Sequence, residues 1–92
     1  MKWLGEVLLV YEIRPESAEI GPEKLEQLIR RNLPKSVKMQ QNPEYKPLFF
    51  GLVGLVGQFI IPEVDGAQDQ LEEYFESIKE ISSFQMNFIT RL

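Results

Sequence analysis

The sequence predicts an α+β fold in which four antiparallel strands form one sheet and two helices pack on one of its faces. Three observations predict it. Hydrophobic periodicity changes along the 92 residues in the order strand, helix, strand, strand, helix, strand. The two most apolar strand segments, Gly5–Ile13 and Leu48–Ile61, come first and third among the strands, the places that a split βαβ topology buries at the centre of its sheet. Proline or glycine stands at most of the junctions.

In the first strand, Val7, Leu9, Tyr11 and Ile13 share one face and Leu8, Val10 and Glu12 the other. Apolar side chains on both faces suit a central strand, and Arg14-Pro15-Glu16-Ser17 ends it. Pro22 fits the first turn of a helix over residues 22–33, where Leu25, Leu28, Ile29 and Leu33 keep a 3.6-residue period and Pro34 stops it. Ser36 to about Gln41 reads as a more polar edge strand with Val37 and Met39 on one face, followed by an irregular loop from Asn42 to Pro47. Leu48–Ile61 then reads as a long central strand, with Gly51, Gly54 and Gly57 allowing a bulge or a close approach. In that reading the adjacent Phe49 and Phe50 point to opposite faces, and only one of them serves the core.

Pro62–Gly66 is a turn, with Asp65 the expected cap of a second helix. That helix buries Leu71, Tyr74, Phe75 and Ile78 and exposes Glu72, Glu73, Glu76 and Glu80. Ser83–Thr90 closes the series as a strand, Phe84, Met86 and Phe88 alternating with Gln85 and Asn87. The β-α-β-β-α-β order is that of the ferredoxin-like sandwich, and residues 1–92 are expected to form a single domain. The sheet face without helices inherits Leu8, Val10 and part of the Phe49–Phe59 run, an apolar surface of the kind that meets a partner.

Composition narrows the function. There is no cysteine and no histidine, so thiol nucleophiles, soft-metal sites and imidazole acid–base chemistry are excluded. The net charge is −4, and residues 47–92 hold two basic side chains against seven acidic ones, which disfavours direct nucleic-acid binding. The basic cluster Arg30, Arg31, Lys35, Lys38 reads as a solvated helix end complementing the dipole. No apolar run is long enough to cross a membrane, so the expected location is the cytoplasm. GLVGLVG lacks the order of residues that a dinucleotide fingerprint or a P-loop requires, so no direct nucleotide binding is expected. The carboxylates Glu63, Asp65, Asp69, Glu72, Glu73 and Glu76 read as helix caps and a solvated face rather than a hydrolytic or metal site. No catalytic residue, metal or cofactor is implied.

Two places remain. The chain ends Ile89-Thr90-Arg91-Leu92 directly after a strand, so a guanidinium stands close to a rigid sheet, ready for a phosphate or metal-bound site on a partner. Phe50 is an aromatic next to Gly51 in a run that supplies more aromatic surface than one core face needs. With these stand Gly5-Glu6-Val7, Pro15-Glu16-Ser17, Phe50-Gly51-Leu52-Val53-Gly54-Leu55, Pro62-Glu63-Val64-Asp65-Gly66 and Thr90-Arg91-Leu92. In this order and over essentially the whole length, these pieces resemble the archaeal elongation factor 1-beta family, counterpart of the exchange domain at the C-terminus of the eukaryotic beta subunits. The resemblance implies a ferredoxin-like domain that exchanges GDP for GTP on the elongation factor 1-alpha GTPase and is not itself an enzyme. It further implies that Arg91, with Leu92, enters the GTPase near its magnesium and phosphate site, and that Phe50, with Gly51, contacts the GTPase. The other reading is a non-enzymatic protein-binding or RNA-binding module of the same fold.

Overall fold

The computed structural model describes residues 5–92. Its elements are β1 (Glu6–Pro15), α1 (Pro22–Arg31), β2 (Lys38–Met39), β3 (Glu44–Pro47), β4 (Val53–Pro62), α2 (Ala67–Glu76) and β5 (Ile81–Arg91), with a short 3-10 turn at Phe49–Gly51 before β4. The sheet order is β2-β4-β1-β5, with β3 also on β4, and every pairing is antiparallel. This is the ferredoxin-like order, with β1 and β4 at the centre, as their apolar character demands.

The core lies between the sheet and both helices. Leu9, Tyr11 and Ile13 of β1 and Leu55 and Phe59 of β4 are fully buried against Leu25 and Ile29 of α1 and Leu71 and Phe75 of α2. Period-2 and period-3.6 stripes therefore meet, each hiding what the other leaves exposed. Tyr11, Phe59, Phe75 and Phe84 stack edge to face, with ring centroids 5.2 to 6.0 Å apart. Gly57, opposite Tyr11, leaves room for this cluster: a Cβ there would sit 3.1 Å from the Phe59 ring.

Tyr11 donates its hydroxyl to Glu72 Oε2 at 2.6 Å, so Glu72, expected on the solvated face, is a structural acceptor. Burial, reinforced by Glu72, pushes the phenol pKa well up and keeps Tyr11 a donor across ordinary pH. Tyr11→Phe is expected to cost about 1 to 2 kcal/mol in urea unfolding with an unchanged m-value, because the ring remains and only a charge-assisted hydrogen bond is lost.

Several local expectations are corrected. α1 stops at Arg31 rather than residue 33, and Tyr74 from α2 takes over its end: the hydroxyl donates to Ile29 O at 2.6 Å and accepts from the Asn32 N–H at 3.3 Å. Arg30 is no solvated helix end, since its guanidinium donates to Gln40 O at 2.8 Å and to Met39 O at 3.3 Å, capping the edge of β2. The N-cap of α2 is Gly66, at φ 84°, and no side-chain cap bond forms, so Asp65 does not cap the helix. β2 keeps two ladder residues, and the expected loop after it contains β3, which pairs Glu44–Pro47 with Val56–Val53. Gln40 N–H still donates to Gln58 O at 2.8 Å, and only then, with Asn42 at φ 58°, does the chain leave the ladder, so what reads as strand then loop is one edge interrupted in its middle.

Candidate functional site

The four sequence-predicted site residues fall at opposite ends of a molecule 49 Å long, Phe50 and Gly51 beyond the end of β1 marked by Ile13, Arg91 and Leu92 at the end marked by Glu6 and Val7. They therefore lie at two separate points rather than in one pocket.

The first point is the tip of the β3–β4 hairpin. The expected strand from Leu48 starts only at Val53, and residues 48–52 turn the chain instead. Leu52 N–H donates to Phe49 O at 3.2 Å across Phe50 (φ 62°, ψ 32°) and Gly51 (φ 77°), a turn of the mirror-image type I kind. Glycine, asparagine or aspartate normally fills the first central position, because a large side chain with positive φ strains the backbone. Phenylalanine fills it here, 95% exposed, with Phe49 beside it at 83%. The expectation that one of these rings serves the core is therefore overturned: the turn places both outside it. With Arg14, Leu48 and Leu52 they line an apolar hollow of about 320 Å³. A ring that neither fills the core nor suits its backbone conformation does nothing for the fold.

Behind this tip lies a charged anchor that sequence reading did not find. Glu12 is only 4% exposed although it lies on the face without helices. Its Oε2 accepts from Arg14 Nη2 at 2.9 Å and its Oε1 from Lys46 Nζ at 3.0 Å, tying β3 to β1. The Lys46 hydrogen bond holds its carboxyl below the ordinary carboxylate range, outweighing the upward pull of burial, and Arg14 adds to the lowering. The stability this confers is present above the ordinary value of 4.5 and is lost as pH falls through the lower folded value. Glu12→Gln is expected to lose about 1 kcal/mol at pH 7 and to lose less further stability between about pH 5 and pH 3 than the parent, measured by chemical unfolding at each pH.

The second point is built by β5. Its pairing with β1 shifts between Val10 and Tyr11: Met86 opposes Tyr11, but Phe88 opposes Val10, so Asn87 is an extra residue. Beyond it the alternation moves by one. Phe88, expected beside Phe84 and Met86, lies on the helix-free face and is 53% exposed, while Ile89 and Arg91 turn to the helix side opposite Leu9 and Val7. The ladder holds to the last residue, with Leu92 N–H donating to Glu6 O at 2.8 Å. The Arg91 side chain is 75% exposed and its Nη2 pairs with Glu63 Oε2. Ile61, Val64, Asp65, Gly66, Asp69 and Ile89 line a neighbouring groove of about 340 Å³. Among the described residues, no group of three or more acidic side chains is arranged to hold a metal ion.

Sequence reasoning missed Phe49, Glu12 and Glu63. The Phe-Gly pair was a signal for the turn, since positive φ at Gly51 is compatible with a tight hairpin. The contacts of Glu12 and Glu63 join strands distant in sequence, and no local pattern announces them.

The chain is similar to several curated proteins. Elongation factor 1-beta of Sulfurisphaera tokodaii is 36% identical over 90 residues, covering 97% of this chain and 98% of that protein. Elongation factor 1-beta of Saccharolobus solfataricus is 35% identical over 90 residues with the same coverage, 97% and 98%. That of Sulfolobus acidocaldarius is 33% identical over 88 residues, covering 95% and 97%. The family model described as the EF-1 guanine nucleotide exchange domain matches residues 8–92, from β1 through both of these points to Leu92. By its fold, its relatives and this match, the chain belongs to the EF-1 guanine nucleotide exchange domain family, whose members are exchange factors of translation elongation and not enzymes.

Proposed function

We propose that this chain promotes GDP release and GTP loading on elongation factor 1-alpha in the cytoplasm, gripping the GTPase at one end through Phe50 and Gly51 and acting on its nucleotide site through Arg91 and Leu92. The observation that carries the reading is Arg91, a largely exposed guanidinium on the last residue of a strand still hydrogen-bonded at the terminal N–H. A GTPase of this kind holds nucleotide through P-loop amides, a lysine and magnesium. A second cation brought beside that site competes for the phosphates and weakens the hold on magnesium. Because the contact favours the nucleotide-free form, linkage requires it to weaken nucleotide binding by the same coupling free energy. Accelerating release about a thousandfold takes roughly 4 kcal/mol from the barrier. The abundance of GTP then sets the direction. The chain itself binds neither nucleotide nor nucleic acid in this mechanism and needs no cofactor.

The strained, exposed Phe50 supports a partner contact at the other end, because aromatic anchors presented rigidly at little entropic cost dominate many interfaces. The test is release of a fluorescent GDP analogue from elongation factor 1-alpha in excess GTP. Saturating amounts of the chain are expected to raise the rate by two to three orders of magnitude, on the order of the barrier change above. A rate unchanged by the chain would refute the reading.

A further inference from the structure

We infer that Glu63 is a positioning residue for Arg91, holding its guanidinium at the end of the sheet before the partner arrives; the inference rests on the exchange reading above. An arginine at the end of a strand has many rotamers, and freezing them when it docks costs side-chain entropy. Glu63 reduces that cost by holding the side chain beforehand. Its carboxylate pairs with Arg91 Nη2, and its own side chain is 34% exposed against 75% for Arg91, so the carboxylate is the fixed partner and the guanidinium the accessible one.

The backbone makes the pair geometrically reproducible. Glu63 N–H donates to Gly5 O at 2.8 Å and Leu92 N–H to Glu6 O at 2.8 Å, so both flanks of the pair hang on the start of β1. Ile61 of β4 lies on the helix side opposite Val7, Glu63 follows just past the end of that strand, and the extra residue Asn87 puts Arg91 opposite Val7 on the same side, where the two charges pair. Were the register unbroken through Asn87, Thr90 would oppose Val7 on the helix side and Arg91 would point away from Glu63. The register of β5 and the carboxylate of Glu63 therefore serve one arrangement.

The test is a double-mutant cycle of Glu63→Gln and Arg91→Ala. It is read in the rate of GDP release and in affinity for the nucleotide-free GTPase, which the Phe50 end sustains without Arg91. Thermal unfolding shows that each variant folds. At low salt, Glu63→Gln is expected to weaken both readouts roughly two- to fivefold, the range of an exposed ion pair. The loss is expected to vanish in the Arg91→Ala background and to fade by about 0.5 M salt, where a pair this exposed is screened. A chain with Glu63→Gln that matches or exceeds the parent, or one with the same fractional loss in both backgrounds, overturns the role of Glu63. If Arg91→Ala alone matches the parent, the exchange role of Arg91 fails and takes this inference with it; a slow Arg91→Ala beside an unimpaired Glu63→Gln removes the inference alone.

Discussion

A chain ending at Thr90 is expected to lose most of its acceleration of GDP release, a fall of about a hundredfold or more, while remaining folded. The expected loss follows from the role proposed for Arg91 in the partner's site: a guanidinium desolvated against phosphate or carboxylate oxygens is worth several kcal/mol, and about 2.7 kcal/mol is a hundredfold in rate. The cost to the fold is small because the two residues removed are exposed, contribute the last hydrogen bonds of an edge strand, and form one exposed ion pair worth under about 1 kcal/mol. Arg91→Lys is expected to lie between, since a point charge remains but the planar fork does not. Stopped-flow release rates with thermal unfolding on the same samples check both halves. A truncated chain that accelerates as well as the parent would move the chemistry of release to the Phe50 end.

Phe50→Asn is expected to make the protein more stable and worse at its task. Phe50 occupies a left-handed conformation, φ 62° and ψ 32°, that costs a bulky residue about 1 kcal/mol and asparagine much less. Relief of that strain is expected to raise the melting temperature by about 4 to 8 °C for a domain of this size. The ring contributes no compensating burial, being 95% exposed, with the Phe49 ring at a centroid distance of 6.4 Å. Losing an aromatic anchor at an interface is expected to weaken binding to elongation factor 1-alpha by about 2 kcal/mol, more than tenfold. Phe50→Ala separates the two effects, because it removes the ring but keeps a Cβ at positive φ: affinity falls with little gain in stability. If Phe50→Asn left affinity unchanged, the hairpin tip would have no part in the contact.

The fold was legible because its determinants are local. The period-2 stripe of Val7, Leu9, Tyr11 and Ile13 and the helical stripe of Leu71 and Phe75 each name their buried face, and the apolar balance of two strands places them centrally. The ends of elements were less legible, since they depend on groups supplied from elsewhere: the Tyr74 hydroxyl ends α1, and Arg30 holds the edge at β2. The glycines of β4 allow a bulge or a close approach, and the structure uses the second: Gly54 and Gly57 sit tight against their neighbours while β4 pairs with β1 in unbroken register from Pro62 to Leu55, and the extra residues lie in β5, at Ser82 and, toward the site, at Asn87. Nothing in Gln85-Met86-Asn87-Phe88 marks it, because a bulge is set by the fit of two strands rather than by one. Its consequence reaches the site, for it sends Phe88 to the open face and Arg91 toward Glu63. Arg91 and Phe50 could be picked out as residues with no evident structural use. Their separation across the length of the sheet could not, because it follows from which strand ends are neighbours.

The central claim is that contact with this chain and nucleotide binding oppose one another on the GTPase. The most direct test is the affinity of the chain for elongation factor 1-alpha measured by calorimetry with the GTPase nucleotide-free and with GDP and magnesium bound. Coupling is expected to make the nucleotide-free form bind at least a hundredfold more tightly, about 2.7 kcal/mol, with GDP affinity lowered by the same factor when the chain is bound. Equal affinity for the two forms would contradict the account, because a contact without preference for the empty site cannot drive nucleotide out of it.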